Sequence, residues 1–180
     1  MPQFFEVKVF WCIIPALAGF PFGCYTYIAI HLNQFLMALK IIDHGSPEYL
    51  QMVQLRKDIL RKPLGLDFTE DELEKEKDEI LIGAFEDDKM LGCCMLIQEE
   101  PGTVRLRQMA VSNKLQGKGI GKALMQFAEN IARDKGFRTI TMHARKSAVG
   151  FYEKLGYSVT GDEFHEVTIP HLLMEKPLWD

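Results

Sequence analysis

Cysteine, clustered metal ligands and surplus positive charge are all scarce in this chain of 180 residues. The four cysteines, Cys12, Cys24, Cys93 and Cys94, form no C-x-x-C pair, and the two adjacent ones would point to opposite faces of a strand. We therefore expect reduced thiols and no metal site. The formal net charge of −4 gives no electrostatic support for a nucleic-acid partner.

Charge is also missing from residues 9–30, where aromatic and aliphatic side chains dominate. Such a run matches the roughly 20 residues that cross a bilayer as a helix. Pro15 and Pro21 interrupt it, however, and the one nearby cation, Lys8, is offset by a glutamate. Three interpretations of residues 1–36 stay open: a non-native or mis-started extension, a membrane-associated segment, or an arm packed on the domain.

Met37 opens a second segment, which has the features of a natural start, and we predict a domain over residues 37–180. Apolar and turn patterns predict strands at 40–43, 80–85, 90–98, 104–111, 139–143, 157–160 and 171–176. Helices are predicted to start from caps at Ser46, Thr69 and Ser147, and an amphipathic helix from Ile120, with Thr69 opening an acidic helix to Glu79. This order predicts an α/β fold with one mixed sheet, helices on both faces and a parallel crossover over 104–143.

The turn before the helix at Ile120 carries alternate glycines in the run KLQGKGIGK, residues 114–122. A phosphate can approach the backbone where no Cβ intervenes, and the first N–H groups of a helix lack internal partners. With the helix dipole and Lys114, Lys118 and Lys122, the turn predicts an anion site. Its spacing excludes a Walker loop, and Ala123 misses the third glycine of the dinucleotide fingerprint.

At this turn the chain resembles the GNAT superfamily of N-acetyltransferases. The family's pyrophosphate loop, Gln/Arg-x-x-Gly-x-Gly/Ala, is matched by Gln116, Gly119 and Gly121. A second block, SAVGFYEKLGY at 147–157, is similar to the family's A-x-x-F-Y-E-K-x-G-F/Y segment, and 166–174 resembles a closing strand of some bacterial members. The resemblance spans residues 39–176 and implies a GNAT-like fold.

The resemblance implies acetyl-CoA as cosubstrate, no metal, and an amine acceptor on a small molecule or peptide. It implies cofactor contacts from Met109, Ala110, Val111, Gln116, Gly117, Lys118, Gly119, Ile120, Gly121, Lys122, Arg145, Ser147, Phe151 and Tyr152. Arg145 departs from the family, which often has asparagine there. Tyr152 occupies the family's general-acid position, where a phenol can protonate the coenzyme A thiolate; the alternative is an aromatic ring packed beside Phe151.

The resemblance also implies that the strands around Met109 and Thr141 splay, so that an N–H near Val111 can stabilise the oxyanion. The general base stays open, because the fourth strand has no glutamate at the family's usual place but carries Arg105, Arg107 and Gln108. His171 is the candidate base, with His143, His165 and Glu166 as further titratable groups. Water-mediated proton loss is equally open.

Several alternatives accompany this interpretation. The acyl group can be longer than acetyl, the acceptor can be a protein amine, or the domain can be a non-catalytic sensor of coenzyme A. We expect a cytoplasmic protein, with membrane association through residues 9–30 as the alternative, and a homodimer is allowed.

A chain that begins at Met37 is expected to fold and bind coenzyme A like the full chain, because both motifs and every predicted core element follow that residue. Thermal melting and calorimetry of the two proteins check this. A shortened chain without a cooperative melt would show that residues 1–36 belong to the fold.

Overall fold

A computed structural model provides the structure of the chain, and its description covers residues 37–179. The predicted segment 1–36 lies outside the described residues, so its assignment stays a prediction. No helix between residues 37 and 179 combines the length and the apolar character that crossing a bilayer requires.

Seven strands and four α-helices occur in the described part of the chain. The strands are β1 Met37–Ile42, β2 Ile80–Glu86, β3 Lys89–Glu100, β4 Thr103–Val111, β5 Thr139–Arg145, β6 Ser158–Glu166 and β7 Ile169–Pro177. The α-helices are α1 Pro47–Arg56, α2 Glu70–Glu74, α3 Ile120–Asp134 and α4 Val149–Glu153. A π-helical turn, Lys57–Arg61, and a 3-10 turn, Lys62–Leu64, prolong α1.

All seven strands join one sheet in the order β1-β2-β3-β4-β5-β7-β6. The β4–β5 pair is parallel and the other five pairs are antiparallel. Helix α3 connects the parallel pair, which is the crossover predicted for 104–143. The predicted α/β fold with one mixed sheet is therefore confirmed.

Helices cover both faces of this sheet. Helix α3 packs over one cluster of buried side chains, which includes Ile82, Leu96, Leu106, Leu124 and Ile140, and α1 packs over a second cluster, which includes Met52, Leu81, Phe85 and Met95. Cys93 belongs to the α1 side and Cys94 to the α3 side, as alternation along a strand requires. Both are free thiols, and burial raises the pKa of Cys93 to about 12, which keeps it protonated and unreactive at neutral pH.

Two predicted helix boundaries were wrong. Ser147 does not cap a helix: it lies inside a 3-10 turn, Lys146–Ala148, and α4 begins after it without a side-chain cap. The acidic helix ends at Glu74 rather than Glu79, although Thr69 and Glu72 form the predicted capping box. Residues 75–79 are all charged, so they offer no apolar stripe that could hold a longer helix against the sheet.

A buried ion pair ties the end of α1 to the chain that follows α2. Arg56 is completely buried, and its two terminal nitrogens donate to the Glu76 carboxylate oxygens at 2.7 and 2.8 Å. The Tyr49 hydroxyl also donates to Glu76, at 2.8 Å. Because a buried charge without its partner is strongly unfavourable, this network holds the end of α1, and with it the start of the π-helical turn, in place.

Candidate active site

Strands β4 and β5 pair over only part of their lengths. Their parallel register runs from Thr103–Thr139 to Leu106–Met142, after which β4 continues to Val111 and β5 to Arg145 without pairing to each other. Each strand keeps its other neighbour, because β4 stays bonded to β3 and β5 to β7. Two backbone edges therefore face each other across an opening in the middle of the sheet.

The opening begins slightly later than the resemblance implied. Met109 lies in the separated part of β4, as expected, whereas Thr141 is still paired with Arg105. The separation on β5 therefore affects the residues from His143 onward.

A β-bulge in β4 lies at the same place. Gln108 and Met109 together stand opposite the single residue Cys94 of β3, and Gln108 has a φ of 54°, which is uncommon for a residue other than glycine. The extra residue reverses the alternation of side chains, so that Ala110 packs on the α1 side while Met109 and Val111 pack on the α3 side. The bulge thus redirects the β4 backbone where the strand borders the opening.

The opening forms part of a cavity of ≈ 890 Å³, a volume typical of sites that bind small molecules. Of the residues predicted for the site, the cavity is lined by Met109, Val111, Gln116, Gly117, Gly119, Gly121, Lys122, Arg145, Ser147, Phe151, Tyr152 and His171. Ala110, Lys118 and Ile120 do not line it. The side chains of Ala110 and Ile120 belong to the core, so that these two residues can offer a ligand only their backbone groups.

The glycine turn presents its backbone to this cavity. Gly117 and Gly119 have φ values of 79° and 88°, and a Cβ added to either would meet no atom within 4 Å. Glycine at these two positions therefore allows the left-handed backbone conformation and leaves the space in front of the backbone open. Gly119 is the N-cap of α3 and no side chain caps the helix, which leaves its first N–H groups directed toward an incoming anion.

Two further contacts shape the turn. The Gln116 side-chain amide donates to Asn113 Oδ1 at 3.1 Å and to the Val111 carbonyl at 3.4 Å, which braces the turn against the end of β4. A Cβ on Gly121 would lie 3.3 Å from the Phe151 ring, so glycine at this position lets α4 approach α3.

Tyr152 joins the cavity from α4. Its ring packs against Phe151 and Tyr157 at centroid distances of 4.9 and 6.1 Å, and the residue is only 7% exposed. Burial raises its pKa well above the usual range, with Arg145 acting in the opposite direction, so the phenol is protonated at neutral pH. Within residues 37–179 the hydroxyl has no hydrogen-bond partner, which leaves its proton available to a ligand.

Two histidines face the cavity from the neighbouring strands. His143 on β5 contacts Glu166 on β6 through Nδ1 and Oε1, 2.5 Å apart, and both side chains line the cavity. His171 on β7 donates from Nδ1 to the Ile169 carbonyl at 2.8 Å, and it is nearly buried. His165 is exposed and does not line the cavity. The structure thus brings three of the four late titratable residues together.

The sequence analysis missed one wall of the cavity. Ile59, Leu60 and Arg61 of the π-helical turn and Leu64 and Leu66 beyond it form this wall, and Arg105 and Arg107 of β4 line the cavity as well. Leu64 and Leu66 are apolar residues beyond the end of a predicted helix, a signal that could have pointed to an exposed binding wall.

Residues 59–178 match the family model described as acetyltransferase (GNAT) domain, and the chain belongs to that family. The resemblance stated from the two sequence motifs is confirmed. In this member of the family, the fold is a seven-stranded mixed sheet that opens between β4 and β5.

The chain is also similar to individual proteins, and one of the two described here is named as an N-acetyltransferase. The chain is 36% identical over 76 residues to "Uncharacterized protein YyaT" of Bacillus subtilis, a match covering 42% of this chain and 51% of that protein. It is 33% identical over 135 residues to "Probable N-acetyltransferase 14" of Xenopus tropicalis, covering 72% of this chain and 62% of that protein. The chain therefore spans about half to three-fifths of these relatives' lengths.

A solved structure of aminoglycoside 6'-N-acetyltransferase complexed with coenzyme A shares the fold. The TM-score is 0.66 at 18% identity, and the match covers 79% of this chain and 98% of that one.

Replacing Gly119 with alanine is expected to weaken coenzyme A binding about tenfold or more, because the methyl group occupies the space that the pyrophosphate needs. Gly136 provides the matched control: it has a φ of 82°, no atom within 4 Å of an added Cβ, and lies beyond the opposite end of α3. Both variants should lose about 1–2 kcal/mol of stability from left-handed strain, but only Gly119→Ala should lose affinity in calorimetry. Equal coenzyme A affinities of the two variants would show that the turn is not part of the binding site.

Proposed function

We propose that this domain transfers an acetyl group from acetyl-CoA to a primary amine. The observation that supports this is the convergence, in one cavity, of an uncapped helix N-terminus, two open strand edges and a protonated tyrosine whose hydroxyl has no hydrogen-bond partner among the described residues. A thioester with a phosphate-bearing handle and an amide-containing arm needs these three features, and family membership agrees with them.

The glycine turn fits the pyrophosphate of coenzyme A. The open space before Gly119, the free N–H groups at the start of α3 and the charge of Lys122 suit two linked phosphates. The separated edge of β4 suits the pantetheine arm, because amide groups of that arm can bond to backbone groups around Met109 and Val111 as a neighbouring strand would.

The chemistry then follows from these positions. A neutral amine attacks the thioester carbonyl, a C–N bond forms, and an N–H near Val111 stabilises the oxyanion. The C–S bond breaks as the Tyr152 hydroxyl gives its proton to the departing thiolate. The proton lost by the amine balances this donation, so the products are an N-acetyl amine and free coenzyme A.

His143 is the base that the geometry supports best, and His171 is the alternative. The Glu166 carboxylate accepts the Nδ1 proton of His143, which orients the ring and leaves Nε2 as the proton acceptor. A carboxylate behind the imidazole also stabilises the cation that forms when Nε2 takes a proton. His171 holds its Nδ1 proton against a backbone carbonyl and has no such carboxylate within the described residues.

Tyr152→Phe should lower kcat by about 10²–10⁴-fold while coenzyme A affinity and thermal stability stay unchanged, since the hydroxyl makes no hydrogen bond to any other residue between 37 and 179. Tyr157→Phe is the matched control, because this second buried tyrosine donates to Glu129 at 3.1 Å and does not line the cavity. It should lose about 1–3 kcal/mol of stability and keep its kcat. Full turnover by Tyr152→Phe, with chemistry shown to be rate-limiting, would make Tyr152 a packing residue.

His143→Gln should lower kcat/KM by about 10²–10⁴-fold without changing coenzyme A affinity. Glu166→Gln should lower it less, and His165→Gln, on the exposed side of β6, should leave it unchanged. Added imidazole should restore part of the activity of His143→Ala. A loss confined to His171→Gln would move the base to that residue, and full activity in both variants would favour water-mediated proton loss.

A screen of amines with thiol release as readout separates the remaining alternatives. An acyltransferase with a longer acyl group releases thiol faster from that acyl-CoA than from acetyl-CoA, and a protein-directed enzyme requires a peptide acceptor. A sensor binds coenzyme A without releasing thiol from any amine. Cytoplasmic location and a homodimeric assembly stay predictions from the sequence.

A further inference from the structure

Three arginines line the cavity where it is bordered by the π-helical turn and by β4. Arg61 of the π-helical turn and Arg105 and Arg107 of β4 all line this part. Among the described residues that line the cavity, Glu166 is the one acidic residue, and it contacts His143. How much of this positive charge a ligand meets depends on which of the three arginines already has a carboxylate partner.

Two of these arginines already have carboxylate partners. Arg105 forms an ion pair with Glu99 at 2.5 Å, and Arg61 forms one with Glu72 at 2.9 Å. Arg107 is exposed, and none of the carboxylates in residues 37–179 lies within ion-pair distance of it. Burial raises the pKa of Glu79, and the charge of Arg107 acts on that pKa in the opposite direction, but the two residues form no ion pair. Arg107 is thus a cation at the cavity that keeps its binding capacity for an external anion.

Strand geometry places Arg107 on the same side of the sheet as His143. Arg105 and Thr141 are directly paired, and Arg107 and His143 each follow two residues later on their own strands. Because side chains two residues apart share a face, both project from the face covered by α1, on either side of the opening. Arg107 is therefore placed to meet another group of a ligand that offers its amine to His143.

The remaining wall of this region is apolar. Leu60, Leu64 and Leu66 line the cavity, and they lie in the stretch of chain between Arg56 and Glu76, the two residues of the buried ion pair. An acceptor seated here would bury aliphatic surface against these leucines.

We infer that the acceptor is a primary amine that also carries an anionic group, a carboxylate or a phosphate, together with an apolar portion, and that Arg107 binds the anion. This inference rests on the proposed acetyl transfer. Polycationic amines are disfavoured, because a second ammonium group near Arg107 would meet a cation that has no carboxylate partner among residues 37–179.

Matched amines test this inference. Leucine is compared with leucinamide, and O-phosphoethanolamine with ethanolamine, with rates corrected for the fraction of neutral amine at each pH. At least one anionic amine should exceed its uncharged counterpart in kcat/KM by about 10- to 100-fold, and the pair that does so tells carboxylate from phosphate. Arg107→Gln should abolish the preference, and Arg107→Lys should keep part of it.

Arg138→Gln is the matched control, because Arg138 is exposed and does not line this cavity. It should retain the full preference. An unchanged preference in Arg107→Gln, or acetylation without any preference for the anionic amines, would overturn the inference and leave the proposed acetyl transfer standing.

Calorimetric titration of the same amines into the full chain saturated with coenzyme A tests the binding without turnover. Tighter binding of the anionic amine, lost in Arg107→Gln, supports the inference even if no thiol is released, in which case the proposed acetyl transfer alone fails. Absence of this difference in binding counts against the inference. Coenzyme A affinity must be unchanged in Arg107→Gln; a loss would place Arg107 in the cofactor site instead.

Discussion

The end of parallel pairing after Leu106 and Met142 is the constraint on which the site depends, because it leaves two strand edges without their shared hydrogen bonds. A backbone group that is buried without a partner costs about 1–3 kcal/mol, so such edges persist only where water or a polar ligand reaches them. The opening must therefore be hydrated or filled. Each strand keeps its neighbour on the other side, so the sheet remains continuous around the cavity.

Two irregular features of the sheet shape the walls of this opening. One is the bulge at Gln108 and Met109, and the other is the hairpin of β6 and β7. The bulge reverses which side chains of β4 face α3 and which face α1 in the part of the strand that borders the cavity. The β6–β7 hairpin places Glu166 beside a histidine on β5, although 23 residues separate the two in the chain. Its turn contains Val167 and Thr168, both with positive φ.

The central part of this arrangement could be predicted from the sequence because its signals are local. The glycine spacing at Gln116–Lys122 and the apolar stripe of α3 indicate the turn and the crossover directly. The position of β7 between β5 and β6 could not be predicted, because strand order is decided by packing between distant residues. The His143–Glu166 contact depends on that order, so no local pattern predicts it. The apolar residues around Leu64 are visible in the sequence, but their place in the cavity wall depends on the path of the chain after α1.

The buried Arg56–Glu76 pair also has a consequence for how this sequence can change over generations. Loss of either partner alone leaves an unpaired charge in the interior and destabilises the fold by about 3–5 kcal/mol. Replacement of both partners by well-packed apolar residues, in contrast, can leave the stability unchanged or increase it. The single-substitution intermediates are thus far less stable than either end point, so the two positions are expected to vary together or not at all. Both the charged pair and an apolar pair can support the fold, but every route that changes one residue at a time passes through a much less stable protein.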